Sequence, residues 1–239
     1  MVIKIKKLKM RNYVEPTGIY PEFERFGDYL IFSEITEEII DEEIMQYYGI
    51  RNDFERRPIY KFVKLGSKSF GNRVVLDDPE AYCIMDTGIF ERATNQKFIN
   101  EAFGDVLIFG LGLGFVLLPL ISDPSVETIT VVENNPIIIN KISTYLSVLD
   151  GYKKIKIVEG DVNTYHTEVG KERFDYIYFD HFFRFDKTIP RNMSRLKPRY
   201  EPILRGSVLE SVNDIKSRYS RILKNPQSKI SYWGEGFFK

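Results

Sequence analysis

Asp105-Val-Leu-Ile-Phe-Gly-Leu-Gly-Leu-Gly114 is the stretch from which the fold is read. An apolar run, Val106 to Phe109, meets glycines at 110, 112 and 114, and a second apolar run follows from Phe115 to Ile121. The order reads as a buried strand, a tight turn and a helix start. Glycines in such a turn let backbone N–H groups approach a ligand that a Cβ would exclude. The pattern points to a nucleotide or nucleoside site of the Rossmann type.

Downstream, strand and helix patterns alternate. Strands are expected at Thr128–Glu133, Ile155–Glu159, Phe174–Asp180, Ser207–Glu210 and Lys229–Trp233. Helices are expected at Gly114–Ile121, with Pro119 a kink or early stop, then at Pro136–Leu149, Arg191–Leu204 and Asn213–Leu223. A weak helix or loop falls at Val162–Val169. This alternation predicts an α/β fold, a Rossmann-like, doubly wound and mostly parallel sheet. Ligands in such sheets sit outside the carboxyl ends of the strands.

Upstream the chain reads differently. Residues 2 to 9 partly alternate as an exposed strand would, and Thr36 to Tyr48 reads as a helix capped by Thr36, with acids in its first turns. Ile59 to Met85 is β-rich, with short strands at Tyr60–Leu65, Arg73–Leu76 and Ala81–Met85. Thr94 is expected to cap a helix running to Ala102, which Gly104 ends. The division is thus a smaller β-rich N-terminal α+β lobe, 1–85, and a Rossmann-like domain, 86–239.

Lys+Arg and Asp+Glu both number 34, so no global charge bias points to nucleic acid. Residues 184 to 224 hold eleven Lys/Arg against four Asp/Glu. That basic stretch reads first as solvated helix faces and second as a surface for an anionic partner. The one cysteine, Cys83, forms no internal disulfide or thiolate cluster, and its apolar neighbours suggest a buried hydrophobe. His166 and His181 show no metal-ligand spacing. No apolar run of about 18 residues suggests a membrane span, and the start is too mixed for a signal peptide, so a cytoplasmic location is expected.

Four positions fall at strand carboxyl ends: the Gly110–Gly114 turn, Glu133, Asp161 and Asp180. Glu133 lies 19 residues after Gly114, where a carboxylate can accept from both hydroxyls of a ribose; otherwise it is a solvated strand end or a neighbour of a helix cap. Asp161 can accept from an adenine amine while the Val162 N–H donates to a ring nitrogen, or it can cap the next turn, and Glu159 competes for the role. The glycines depart from G-x-G-x-x-G, with the third one residue early and Phe at 115, and no P-loop is present.

Phe109-Gly-Leu-Gly-Leu-Gly114, Thr130-Val-Val-Glu133-Asn-Asn-Pro136, Glu159-Gly-Asp161-Val and Phe174-Asp-Tyr-Ile-Tyr-Phe-Asp180 together resemble class I S-adenosylmethionine-dependent methyltransferases. Within that class they are most similar to the spermidine-synthase-like branch, as is Tyr82-Cys-Ile-Met-Asp-Thr-Gly-Ile-Phe-Glu-Arg-Ala-Thr94. The resemblance implies S-adenosyl-L-methionine as cofactor and S-adenosyl-L-homocysteine as product. It implies that Gly110, Leu111, Gly112 and Gly114 pack on the methionine part of the cofactor. It places Glu133, beside Asn134, on the ribose, Asp161 and Val162 on the adenine, and Asp180 beside the transferring group.

Asp180 is the leading candidate for a base or acceptor-orienting group, and His181 is next. Glu91, Arg92, Thr94 and Asn95 belong to a junction that faces the cofactor tail or acceptor in the resembling families. The spermidine-synthase pattern Asp-x-x-Asp is broken here, since the chain reads Asp180-His-Phe-Phe183. The leading expectation is therefore methyl transfer to a small-molecule acceptor, with a homodimer suggested by the resemblance. Aminopropyl transfer, a noncatalytic nucleoside-binding module and an NAD-dependent dehydrogenase are the alternatives.

Overall fold

A computed structural model describes residues 16, 18–36, 57–70, 73–75, 78–180 and 217–233. The expectations for residues 2–9, 37–48, 191–204 and 207–210, for His181, Phe182 and Phe183, and for most of the basic stretch lie outside the described residues.

The described residues form two sheets. The first is an antiparallel meander in the order β1-β2-β3-β4: β1 Phe23–Phe26, β2 Tyr29–Thr36, β3 Arg57–Lys64 and β4 Tyr82–Asp86. Phe26 pairs with Tyr29, leaving Gly27 and Asp28 as a two-residue hairpin turn with Gly27 at φ 58°. A glycine at the first central position suits the turn whose twist matches its strands. Sequence patterning had given neither β1 nor β2. Thr36 ends β2 and pairs with Arg57, while the helix it is expected to cap lies outside the described residues; a β-branched residue with a cross-strand partner sits well in a ladder.

The second sheet is wholly parallel, in the order β7-β6-β5-β8-β9. Its strands are β5 Gly104–Phe109, β6 Val126–Glu133, β7 Ile155–Glu159, β8 Tyr176–Phe179 and β9 Lys229–Tyr232. β5 lies at the centre and the order reverses beside it, between β5 and β8. Side chains alternate across the sheet. Val106, Ile108, Ile129, Val131, Tyr176 and Tyr178 face one core, while Leu107, Phe109, Val132, Ile177 and Phe179 face the other.

The first of these cores is shared by both sheets. Tyr29, Ile31, Tyr60 and Phe62 of the meander join β5 and β6 there, together with α1 (Ile89–Glu101) and α3 (Pro136–Leu146). In α3, Asn135 accepts from Ile137 N–H at 3.0 Å, Pro136 occupies the first turn, and Ile138, Ile142 and Leu146 form the buried stripe. Each such buried aliphatic contributes about 1.5–3 kcal/mol. The helix stops at Leu146, short of the expected Leu149. The other core is closed by α4 (Tyr165–Glu168) and by Tyr219 and Ile222.

Several local expectations are corrected. α1 begins after Gly88, whose N–H donates to Asp86 Oδ1 at 2.7 Å; Thr94 lies inside the helix, its hydroxyl donating to Glu91 O at 3.0 Å. Gly104 opens β5 and does not end a helix. The helix after the glycine turn, α2, spans only Leu117–Ile121, and Pro119 fits its first turn without a kink. Residues 73–75 form no strand, because Val75 N–H donates to Ser69 Oγ at 2.8 Å and Arg73 N–H to Phe70 O at 2.9 Å. Cys83 is exposed, on edge strand β4.

Candidate active site

The parallel register brings the strand ends into one row. Glu159 lies opposite Glu133, Gly110 N–H donates to Val132 O at 2.9 Å, Asp180 N–H to Phe109 O at 2.8 Å, and Trp233 N–H to Phe179 O at 2.9 Å. The glycine turn therefore occupies the middle of the row, at the reversal of strand order. Glu133 and Asp161 fall on one side of it, Asp180 and Trp233 on the other.

The turn has an unusual backbone. Gly110, Gly112 and Gly114 have φ values of 98°, 49° and 69°, which L side chains avoid. A Cβ at Gly112 would also collide with Met85 Sδ, and one at Gly114 would come within 2.8 Å of Leu146 Cδ1. The glycines thus allow both the bend and the close packing beneath it. Gly114 N–H closes the bend on Leu111 O at 2.6 Å.

Glu133 points into the turn. Its Oε2 accepts from Leu111 N–H and its Oε1 from Asn135 N–H, both at 3.0 Å. Each oxygen retains acceptor capacity for a further donor. Asn134, between these partners, is exposed. Asp161 is also exposed; its Oδ1 accepts from Asn163 N–H at 2.7 Å and Asn163 Nδ2 at 2.8 Å, and its carbonyl from Tyr165 N–H at 2.8 Å. Asp161 therefore organises the turn that leads into α4, and its other carboxylate oxygen takes no hydrogen bond among the described residues. Val162 O accepts from Tyr219 OH at 2.6 Å, which fixes this loop against the second core.

Across the turn lies a carboxyl pair. Asp180 directly follows β8, and Glu91 sits in the first turn of α1. Glu91 Oε1 accepts from Asn95 Nδ2 at 2.8 Å and from Trp233 Nε1 at 3.3 Å, and Asn95 Oδ1 accepts from Tyr178 OH. Burial first, then the neighbouring Asp86 charge, push Glu91 up to about 7, against the pull of its two donors. Burial first and the Glu91 charge second hold Asp180 well above the carboxylate range. His181 falls outside the described residues.

The antiparallel meander and Tyr20, just ahead of it, brace the turn. Tyr20 OH donates to Leu113 O at 2.5 Å, Leu113 N–H meets Met85 Sδ, and Tyr29 OH accepts from Asn135 Nδ2 at 2.6 Å. Sequence reasoning missed these groups, along with Trp233 and the pairing of Glu91 with Asp180. The position of Trp233 at the end of the last expected strand was the one available signal. Among the described residues, no group of His, Cys, Asp and Glu is arranged to hold a metal ion, and no helix is long and apolar enough to cross a membrane.

No family model and no curated protein matches the chain. Similar solved structures include the CcbJ methyltransferase from Streptomyces caelestis, at 19% identity over 54% of this chain and 41% of that one, with a TM-score of 0.37. The glycopeptide N-methyltransferase MtfA complexed with S-adenosyl-L-methionine is 16% identical over 55% of this chain and 47% of that one, with a TM-score of 0.37. The N-methyltransferase NodS from Bradyrhizobium japonicum WM9 with S-adenosyl-L-homocysteine is 14% identical over 80% and 70%, with a TM-score of 0.39. The chain spans less than half the length of the first two. Likeness at these TM-scores assigns neither residues nor chemistry.

Proposed function

We propose that the chain is an S-adenosylmethionine-dependent methyltransferase acting on a small-molecule acceptor. The observation that carries this reading is the Glu133–Leu111 hydrogen bond, which puts a ribose-type acceptor and a glycine-lined bend in one crevice at the switch point of a parallel sheet. The four motifs that resemble the class I enzymes are the sequence support.

The residues present fit such a cofactor. The positive φ values of Gly110, Gly112 and Gly114 turn the backbone through the bend without side chains, and Glu133 keeps lone pairs for two hydroxyls. Gly110, Leu111, Gly112 and Gly114 would lie against the methionine part, Glu133 and Asn134 near the ribose, and Asp161 and Val162 near the adenine. When bound, the cofactor supplies a methyl group activated by a sulfonium. The chain's own task is to hold the acceptor in line and keep water out. Asp180, at the end of β8, orients the acceptor or takes its proton.

Aminopropyl transfer is the second reading, and one observation favours it. The Asp-x-x-Asp pattern is broken at Phe183, yet the charge of a second acid, Glu91 in the first turn of α1, acts on Asp180. Calorimetric titration with S-adenosyl-L-homocysteine, decarboxylated S-adenosylmethionine and NAD separates these cases. Uptake of the homocysteine form, weakened by Glu133→Ala, is expected. Binding of NAD alone, or of nothing, would overturn the proposal.

A further inference from the structure

We infer that Tyr29 and Asn135 are positioning residues that make the crevice selective for a nucleoside carrying both ribose hydroxyls. The inference rests on the reading of Glu133 as the ribose acceptor, and on no step of the transfer itself.

Glu133 is gripped from two sides. Leu111 N–H reaches its Oε2 and Asn135 N–H its Oε1, both at 3.0 Å. Each oxygen thus has one lone pair taken and one left, and the free pairs match two neighbouring hydroxyls. The match holds only while the carboxylate keeps its orientation. A carboxylate that can swing turns an unused oxygen to water and loses little when a hydroxyl is missing. A fixed one is left with an acceptor and no donor, and a site of that kind rejects the analogue.

Both amides are braced from the same side of the molecule. The bend that carries Leu111 is held at Leu113, through Tyr20 OH and Met85 Sδ. Asn135 is extended, with φ −108° and ψ 106°, and its side chain is held at both ends. Its Oδ1 accepts from the N–H groups of Ile137 and Ile138 at 3.0 and 3.4 Å, and its Nδ2 donates to Tyr29 OH at 2.6 Å. Capping α3 needs only the oxygen, which a serine or an aspartate would supply equally well. The amide nitrogen adds nothing to the cap; it is the atom that reaches across to β2.

Tyr29 is fixed in its turn. It is buried, with its ring 5.8 Å from that of Phe26 and 5.6 Å from that of Phe62, and Lys64 Nζ stands 5.1 Å from the ring centre. A second seam ties the meander to α3 further along the helix. There Tyr145 OH donates to Glu24 Oε2 at 2.6 Å, and Lys141 pairs with the same carboxylate. The N-terminus of α3 therefore moves only with the meander, and Tyr29 sets the Asn135 amide that sets Glu133. Ordering the acid before the ligand arrives removes that cost from binding.

The test titrates S-adenosyl-L-homocysteine and its 2′-deoxy form into the full chain by calorimetry. The native chain should prefer the first by at least about tenfold, the worth of one hydrogen bond to a charged group. Tyr29→Phe keeps the ring and removes the hydroxyl; Asn135→Ser keeps a capping oxygen and removes the amide nitrogen. Each should cut the preference to about threefold or less, chiefly by weakening the ribose form. In a Glu133→Gln background, Tyr29→Phe should change the preference no further. A purely structural role would weaken both ligands alike and leave their ratio untouched. An unchanged ratio in Tyr29→Phe, or in Asn135→Ser should Tyr29→Phe fail to fold, overturns the inference, as does equal affinity for the two compounds in the native chain. Uptake of S-adenosyl-L-homocysteine then still upholds the cofactor reading, whereas uptake of neither compound removes both.

Discussion

The carboxylate of Glu133 holds the amide of Leu111 at 3.0 Å, fastening the acid at the end of β6 to the bend at the end of β5. Glu133→Ala leaves the Leu111 and Asn135 amides without their acceptor. Stability should fall by about 1–3 kcal/mol, and affinity for S-adenosyl-L-homocysteine by at least about tenfold, as one lost charged hydrogen bond implies. Urea denaturation and calorimetry measure the two effects separately, and Glu133→Gln should fall between.

Gly112→Ala meets two obstacles, a φ of 49° and the Met85 sulfur. The backbone part alone costs about 1–2 kcal/mol. Adding Met85→Ala should recover the steric part and leave the backbone part, so a double-mutant cycle of melting transitions should show coupling. Strict additivity would mean that the sulfur yields freely.

Glu91 titrates near 7 in the folded chain, against an ordinary 4.5. Between these values the folded state binds more protons than the unfolded state, so stability should fall as pH rises from about 4.5 to about 7. The contribution is on the order of 3 kcal/mol. Glu91→Gln should flatten that part of the curve in thermal melts taken at pH 5 to 8. An equally steep curve in the variant would place the titration elsewhere.

Lys224 joins Asp105 at 2.6 Å and Asp175 at 2.8 Å beneath the sheet, at the far end from the crevice. Burial would raise the Asp105 carboxyl, but the hydrogen bonds from Lys224 and Thr128, with the Lys224 charge, hold it below its usual range. Lys224→Met should cost about 1–3 kcal/mol. It should leave S-adenosyl-L-homocysteine affinity within about twofold, since well-separated sites act independently.

The parallel sheet was legible because its strands are apolar on both faces and end in glycines and acids. Gly110–Gly114, Glu133 and Asp180 stand out by type and spacing. The meander was half legible. Its first hairpin turns on Gly27-Asp28, with few other cues. Arg73 to Val75 has strand composition, but a local turn takes its donors, Arg73 N–H going to Phe70 O and Val75 N–H to Ser69 Oγ. At the site, Glu91 read as a charge on a helix, because nothing local shows that β8 carries Asp180 to it. Tyr20 and Met85 carried no signal, since their contacts with Leu113 span 93 and 28 residues.

That buttress divides responsibility for the crevice between two halves of the polypeptide. A fragment starting at Gly88 would retain the glycine turn, Glu133, Asp161 and Asp180 and still lack the phenol and thioether that lock the loop. Its glycines would be free to wander, and ligand capture would have to supply the ordering that Tyr20 and Met85 provide beforehand. Possession of the signature and a working pocket are therefore separable in this chain.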